Sequence, residues 1–280
     1  MLIIKNKKML KNEITENETL SIARVSGSTF VNADCFDIFP FIEDKSIDAI
    51  ICDLPYGTTQ CKWDSVLDLN KLWLEYKRII KDNGNIILFA DEPFTSVLIN
   101  SNLEQFRQRI TWDKQVAGNH LNSKKMLLKI TEDICLFTPS KLGNQTYNIQ
   151  LTKKPKEHRR GDRKRENRKE FTGGYVGKHN GQVSENYNEE VSYPSNLWSV
   201  NSKSGECNAL NRKHPTQKPI ELIEKLLITY TNEGDTVLDN TMGSGTTNLA
   251  CIKLNRKSIG IEKEKQYYDV AVRRASEYCH

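Results

Sequence analysis

Asp235-Thr236-Val237-Leu238-Asp239-Asn240-Thr241-Met242-Gly243-Ser244-Gly245 is followed by an apolar stretch from Thr246 to Leu254, then by Ser258-Ile259-Gly260-Ile261-Glu262. The first run is β-branched and ends on an acid. A glycine turn follows, then a helix-length segment, then a second short apolar run that also ends on an acid. This is the pattern of strand, turn, helix, strand. Upstream the same rhythm recurs. Thr29 to Asp34, Ile47 to Cys52 and Asn85 to Ala90 read as strands, with further candidates at Gln108 to Asp113 and Asp133 to Thr138. Leu69, Leu72, Trp73, Tyr76, Ile79 and Ile80 recur at helical spacing, and Asp82-Asn83-Gly84 reads as the helix stop. Ile220, Ile223, Leu227 and Tyr230 mark one face of another helix, with Pro219 at its start. The expected fold is α/β, a doubly wound and mostly parallel sheet of Rossmann-like type.

The 280 residues, 37% hydrophobic, suffice for one large domain with a smaller insert. Residues 1–28 read as a polar lead-in, and 29–140 with 213–280 as the α/β domain. Residues 141–212 read as an insert. Within the insert Lys153, Lys154, Arg159, Arg160, Arg163, Lys164 and Arg165 form a basic run with few apolar neighbours. A solvated arm and a phosphate-contacting arm are both open readings. Phe171, Tyr175, Tyr193 and Trp198 lie nearby; their faces could stack on bases or build a small local core. The net charge of +5 is compatible with a polyanionic partner. The seven cysteines form no C-x-x-C pair, and neither they nor the histidines show metal-ligand spacing. This is the usage of reduced cysteines in a cytoplasmic protein, and no metal is expected. No stretch reaches membrane-spanning length.

The glycine turn at 243–245 opens a corner where a ligand can approach the backbone. No Lys follows Gly245, so it is not a phosphate-binding loop, and Asn248 stands where a dinucleotide fingerprint needs a small residue. Asp239 would repel a pyrophosphate but suits a cationic ligand. S-adenosylmethionine fits: its ammonium and sulfonium groups suit Asp239, its carboxylate suits the turn, and its ribose suits Glu262.

Asp53-Leu54-Pro55-Tyr56 follows the strand at 47–52. It sets an acid, a carbonyl held in direction by Pro55, and an aromatic ring at one strand end. An exocyclic amino group on a base is a weak nucleophile because its lone pair is delocalised. Two acceptors aimed at its N–H bonds can localise that pair, and a carboxylate can stabilise the charge that develops on methylation. The ring can stack on a base turned out of a duplex. A plain turn after a strand remains the competing reading of the tetrapeptide alone.

Three segments together resemble the amino-methylating DNA methyltransferases of the N6-adenine/N4-cytosine family, in their β arrangement. Asp53 to Tyr56 resembles the family's D-P-P-Y motif. His214-Pro215-Thr216-Gln217-Lys218-Pro219 resembles the motif ahead of the cofactor corner. Val237 to Thr247, continuing to Ile259-Gly260-Ile261-Glu262, resembles the cofactor motif. The resemblance implies that Asp53, Leu54, Pro55 and Tyr56 are catalytic. It implies that Asp34, Thr216, Lys218, Asp239, Gly243, Gly245, Thr246 and Glu262 line S-adenosylmethionine. It also implies that 141–212 recognises double-stranded DNA carrying a flipped base. Members of this arrangement often dimerise, and Trp73 is one candidate contact; a nuclease partner is left open.

Asp as the first motif residue favours adenine N6 over cytosine N4. Methylation of RNA or a protein amide, and an inactive DNA-binding subunit, are the alternatives. A bacterial, mobile-element or phage source is open. Leu54 departs from the family's usual Pro, and Asn240-Thr241-Met242 departs from its usual Pro-Phe pair. The loop from Gly57 to Asp64 has no assigned role.

Overall fold

The computed structural model describes residues 20–57, 67–153, 191–207 and 217–279. It divides into two compact units: one takes in residues up to Asn148 and from Asn196 on, the other spans Ile149–Ser195. The larger unit runs β1 (Ser21–Val25), β2 (Ser28–Asn32), α1 (Cys35–Ile38), β3 (Ile47–Asp53), α2 (Leu69–Ile79), β4 (Ile80–Ala90), α3 (Phe94–Ser101), β5 (Phe106–Gly118) and β6 (Lys129–Phe137). The smaller unit contributes β7 (Thr152–Lys153) and β8 (Val191–Ser192), an antiparallel pair. The larger unit resumes with β9 (Leu197–Ser199), α4 (Ile220–Tyr230), β10 (Thr236–Asp239), α5 (Thr246–Lys253), β11 (Lys257–Glu262) and α6 (Lys265–Cys279).

The main sheet is ordered β1-β2-β11-β10-β3-β4-β6-β5-β9. Its centre, from β2 to β4, is parallel. The strands at both sides bring antiparallel pairings. The expected α/β fold is therefore present, with every strand read from the sequence in it. β1 lies in the stretch that reads as lead-in. It is an edge strand with mostly half-buried side chains, so its apolar signal is diluted. β9 also differs from expectation: it lies within the stretch that reads as an insert, yet pairs in parallel with β5. Trp112 of β5 donates its indole N–H to the Val200 carbonyl at 2.8 Å, which fastens β9's exit.

Strand alternation builds two cores. Ile50 and Cys52 of β3 join Leu72, Trp73, Tyr76 and Ile79 of α2 on one face. Ala49 and Ile51 join Leu222, Ile223, Leu226, Leu227 and Tyr230 of α4 on the other. Trp73 is thus a core residue, 4% exposed, with its indole N–H on Ser101. The expectation that it serves a subunit contact is corrected: the apolar spacing that made it conspicuous is the spacing of the buried helix face. The helix ends at Ile79, ahead of the Asp82-Asn83-Gly84 stop; those residues lie where β4 shifts register against β3. Gly84 is required there, because a Cβ would come within 2.8 Å of the Asp48 carbonyl and the Ile80 side chain. Among the described residues no helix is long and apolar enough to cross a membrane.

The direction of winding changes between β3 and β10. From β3 the chain crosses to β4 on one side; from β10 it crosses to β11 on the other. Open α/β sheets bind ligands at the carboxyl ends of strands beside such a switch point. Here β3 ends in Asp53 and β10 in Asp239.

Candidate active site

Four acids read from the sequence arrive along one edge of the sheet. Asp34 follows β2, Glu262 ends β11, Asp239 ends β10 and Asp53 ends β3, in the order in which those strands pair. Parallel pairing of β10 with β3 brings together segments 188 residues apart in the chain, Val237 opposite Ala49 and Leu238 opposite Ile50.

Both oxygens of Asp53 are engaged. Tyr56 donates its hydroxyl to Oδ1 at 2.7 Å, and Lys218 donates its ammonium to Oδ2 at 2.6 Å. Burial pushes the Asp53 carboxyl above its ordinary value, although Lys218 and the Tyr56 hydroxyl pull the other way. The Thr241 hydroxyl donates to the Asp53 carbonyl at 3.0 Å, tying the end of β3 to the cofactor corner. Leu54, where the family has Pro, is 3% exposed and packs in the α2-side core. Burial thus anchors the loop where a second ring is missing, an effect of about 1.5–3 kcal/mol for a leucine. The Tyr56 ring stacks on Phe94, with centroids 5.4 Å apart and planes at 25°. Phe94 opens α3 and escaped the sequence reading, because nothing in a lone Phe at a helix start marks a site.

Lys218, expected from the resemblance to line the cofactor, stands beside Asp53. Its ammonium lies on Asp53, 3.5 Å from Glu132 Oε2, and over the Phe89 ring at 5.1 Å from the centroid. Burial alone would lower its pKa, but Asp53 and Glu132 hold it above the ordinary lysine value. The Glu132 Oε1 accepts from Lys114 at 3.0 Å. Burial opposes ionisation of Glu132, yet Lys218 and Lys114 together hold its carboxyl below the usual range. Glu132 and Lys114 were missed as well. The strand pattern drew attention to the apolar residues from Asp133 on, and a charged pair across a hairpin has no sequence signature.

At the cofactor corner Asp239 is 5% exposed, and burial pushes its carboxyl up to about 7; the Thr247 hydroxyl and the Thr241 N–H offset this only in part. Gly243 and Gly245 both adopt positive φ, +51° and +73°. The Gly243 N–H donates to Glu262 Oε2 at 2.9 Å, and the Glu264 N–H to Oε1 at 2.8 Å. Burial raises the Glu262 carboxyl above its ordinary value. Asp34 caps α1 through the Phe36 N–H and pairs with Lys263 at 3.1 Å. The Thr246 hydroxyl accepts from Arg274 of α6 at 3.3 Å. Asn240, buried at 2%, accepts from Tyr76 at 2.5 Å and from the Cys52 thiol at 2.9 Å, so the residue replacing Pro stitches the corner to α2 and β3. Thr216 lies outside the described residues, as do Lys154, Arg159, Arg160, Arg163, Lys164, Arg165 and most of the loop from Gly57 to Asp64. Lys153 is exposed on β7.

These residues fit S-adenosylmethionine. A buried carboxylate whose pKa burial raises to about 7, and with which no cation among the described residues pairs, is suited to a positively charged ligand. Asp239 is such a carboxylate, and it stands beside the turn of Gly243 and Gly245.

The N6/N4 methyltransferase family model, described as DNA methylase, matches residues 47–273. The chain is 32% identical over 249 residues to the type II methyltransferase M.HpaI of Haemophilus parainfluenzae, covering 83% of this chain and 69% of that one. It is 26% identical over 265 residues to the DNA adenine methyltransferase YhdJ of Escherichia coli K12, covering 90% and 84%. Among solved structures it resembles the M1.HpyAVI–SAM complex, with a TM-score of 0.56 and 28% identity over 88% of this chain and 97% of that one. The chain belongs to the DNA methylase family and is an S-adenosylmethionine-dependent DNA methyltransferase.

Proposed function

We propose that the chain methylates the exocyclic N6 of adenine in double-stranded DNA, on a base turned out of the helix. The observation that carries this reading is the Asp53 carboxylate at the switch point, one strand from Asp239. Asp53 and the Leu54 carbonyl accept the two N–H bonds of the amino group and localise its lone pair. When bound, S-adenosylmethionine would supply a methyl group activated by its sulfonium, with the sulfur as the leaving group for attack by the amino nitrogen. Asp53 stabilises the positive charge on nitrogen, and its raised pKa suits it to take the proton that nitrogen then sheds. Tyr56, backed on one side by Phe94, presents its ring to the base. Asp239, Gly243, Gly245, Thr246 and Glu262 hold the cofactor, with Asp34 toward its adenine and Lys218 and Thr216 also lining it. The basic run from Lys153 to Arg165 contacts phosphates.

Adenine is favoured over cytosine because the motif opens with Asp, and the similarity to a named adenine methyltransferase supports the same choice. The test is nucleoside analysis of duplex DNA after incubation with labelled cofactor. N6-methyladenine is expected; N4-methylcytosine alone would contradict the base assignment.

A further inference from the structure

The cluster behind Asp53 contains two anions, Asp53 and Glu132, and two cations, Lys114 and Lys218. It is therefore neutral before a substrate arrives. Methyl transfer, on the function proposed above, places a further positive charge on the nitrogen beside Asp53. With the Lys218 ammonium 2.6 Å from Oδ2, that carboxylate already serves a cation. Two cations on one carboxylate repel each other, so the transition state gains if Lys218 draws back.

The structure holds a place for it. Glu132 Oε1 is taken by Lys114 at 3.0 Å. Glu132 Oε2 is buried, accepts no hydrogen bond from the described residues and pairs with Lys218 only across 3.5 Å, longer than a good hydrogen bond. A buried carboxylate oxygen held only by a long ion pair is incompletely satisfied, and a shift of about one ångström by a long, flexible lysine would complete a hydrogen bond to it. Glu132 is half-buried on β6, two residues ahead of its buried run, and is fixed by its pairing with Trp112, so the acceptor stays put while the lysine moves.

We propose that Glu132 is a positioning residue that receives the Lys218 ammonium when the target amino group reaches Asp53, freeing the carboxylate for the nitrogen that becomes cationic. Lys218 then has two stations. On Asp53 it keeps the buried acid paired while the site is empty. On Glu132 it leaves the acid's charge to the reacting nitrogen.

The test is Glu132→Gln in the full-length protein. Gln keeps an oxygen for Lys114 but removes the charge that attracts Lys218. Single-turnover methylation of duplex DNA should fall at least tenfold. Dissociation constants for S-adenosylmethionine and for DNA should stay within twofold, and the thermal midpoint should show a folded protein. In a Lys218→Gln background the same replacement should change the rate less than twofold, because there is no ammonium left to receive. A purely structural role for Glu132 would instead lower the rate in both backgrounds. If Glu132→Gln does not fold, Glu132→Gln with Lys114→Met removes the orphaned lysine and is read the same way. A rate within tenfold of wild type, an equal loss in both backgrounds, a loss confined to binding, or failure of both variants to fold would overturn the proposal. Wild-type protein that transfers no methyl group to DNA would refute the proposed function instead.

Discussion

Asp239 is the residue whose chemistry is most exposed to test. Its carboxyl titrates near 7 in the folded chain against an ordinary 3.8. Between those values the folded chain binds a proton that the unfolded chain lacks. Stability from this group is therefore present at low pH and lost as pH rises through about 7. Asp239→Asn should raise the thermal midpoint of the ligand-free protein at pH 8 relative to wild type, and this gain should fade toward pH 4. A cationic ligand needs the ionised form, so cofactor affinity in the wild type should weaken as pH falls below about 7. At pH 8, Asp239→Asn should weaken cofactor binding at least tenfold, a loss of about 1.4 kcal/mol. Titration calorimetry across pH checks both. Affinity flat from pH 6 to 8, or unchanged in the variant, would remove Asp239 from the cofactor site. Asp53 differs, because Lys218 and Tyr56 already occupy its oxygens. Asp53→Asn should leave cofactor binding intact while lowering methyl transfer by about 10²–10³, the range for loss of one preorganised electrostatic partner.

Between β10 and α5 the chain turns through Gly243 and Gly245, both at positive φ. A Cβ on Gly245 would come 2.7 Å from the Ala271 side chain of α6. Gly245→Ala should therefore destabilise the protein by about 1–3 kcal/mol through strain and overpacking, measured as a lower urea midpoint at unchanged slope. This turn was legible in the sequence because glycine spacing and a strand-end acid are local signals. So were β2, β3, β4, β10 and β11, whose apolar runs are buried on both faces. What the sequence concealed depends on partners far along the chain. Lys218 reads as a cofactor lysine, and its pairing with Asp53, 165 residues away in the chain, appears only on folding. Glu132 acquires meaning only from the hairpin register that sets it against Lys114 and Trp112. Trp73 shows the opposite error, since a conspicuous aromatic invited a surface role although its helical spacing already pointed inward.

Across the whole molecule, a net charge of +5 is small, but the basic run concentrates it. Replacing Lys153, Lys154, Arg159, Arg160, Arg163, Lys164 and Arg165 with neutral residues should weaken duplex binding. It should also flatten the salt dependence, by about 0.9 in the log–log slope for each phosphate no longer neutralised. Fluorescence anisotropy at several salt concentrations measures this, and an unchanged slope would assign the run to a solvated arm. The identity of the methylated atom decides the account as a whole. Labelled S-adenosylmethionine should be incubated separately with duplex DNA, RNA and protein, using wild type and Asp53→Asn, and the products digested and identified. N6-methyladenine from duplex DNA, abolished or nearly so by Asp53→Asn, is the result predicted. Label confined to RNA or protein, or DNA methylation undiminished in Asp53→Asn, would contradict it.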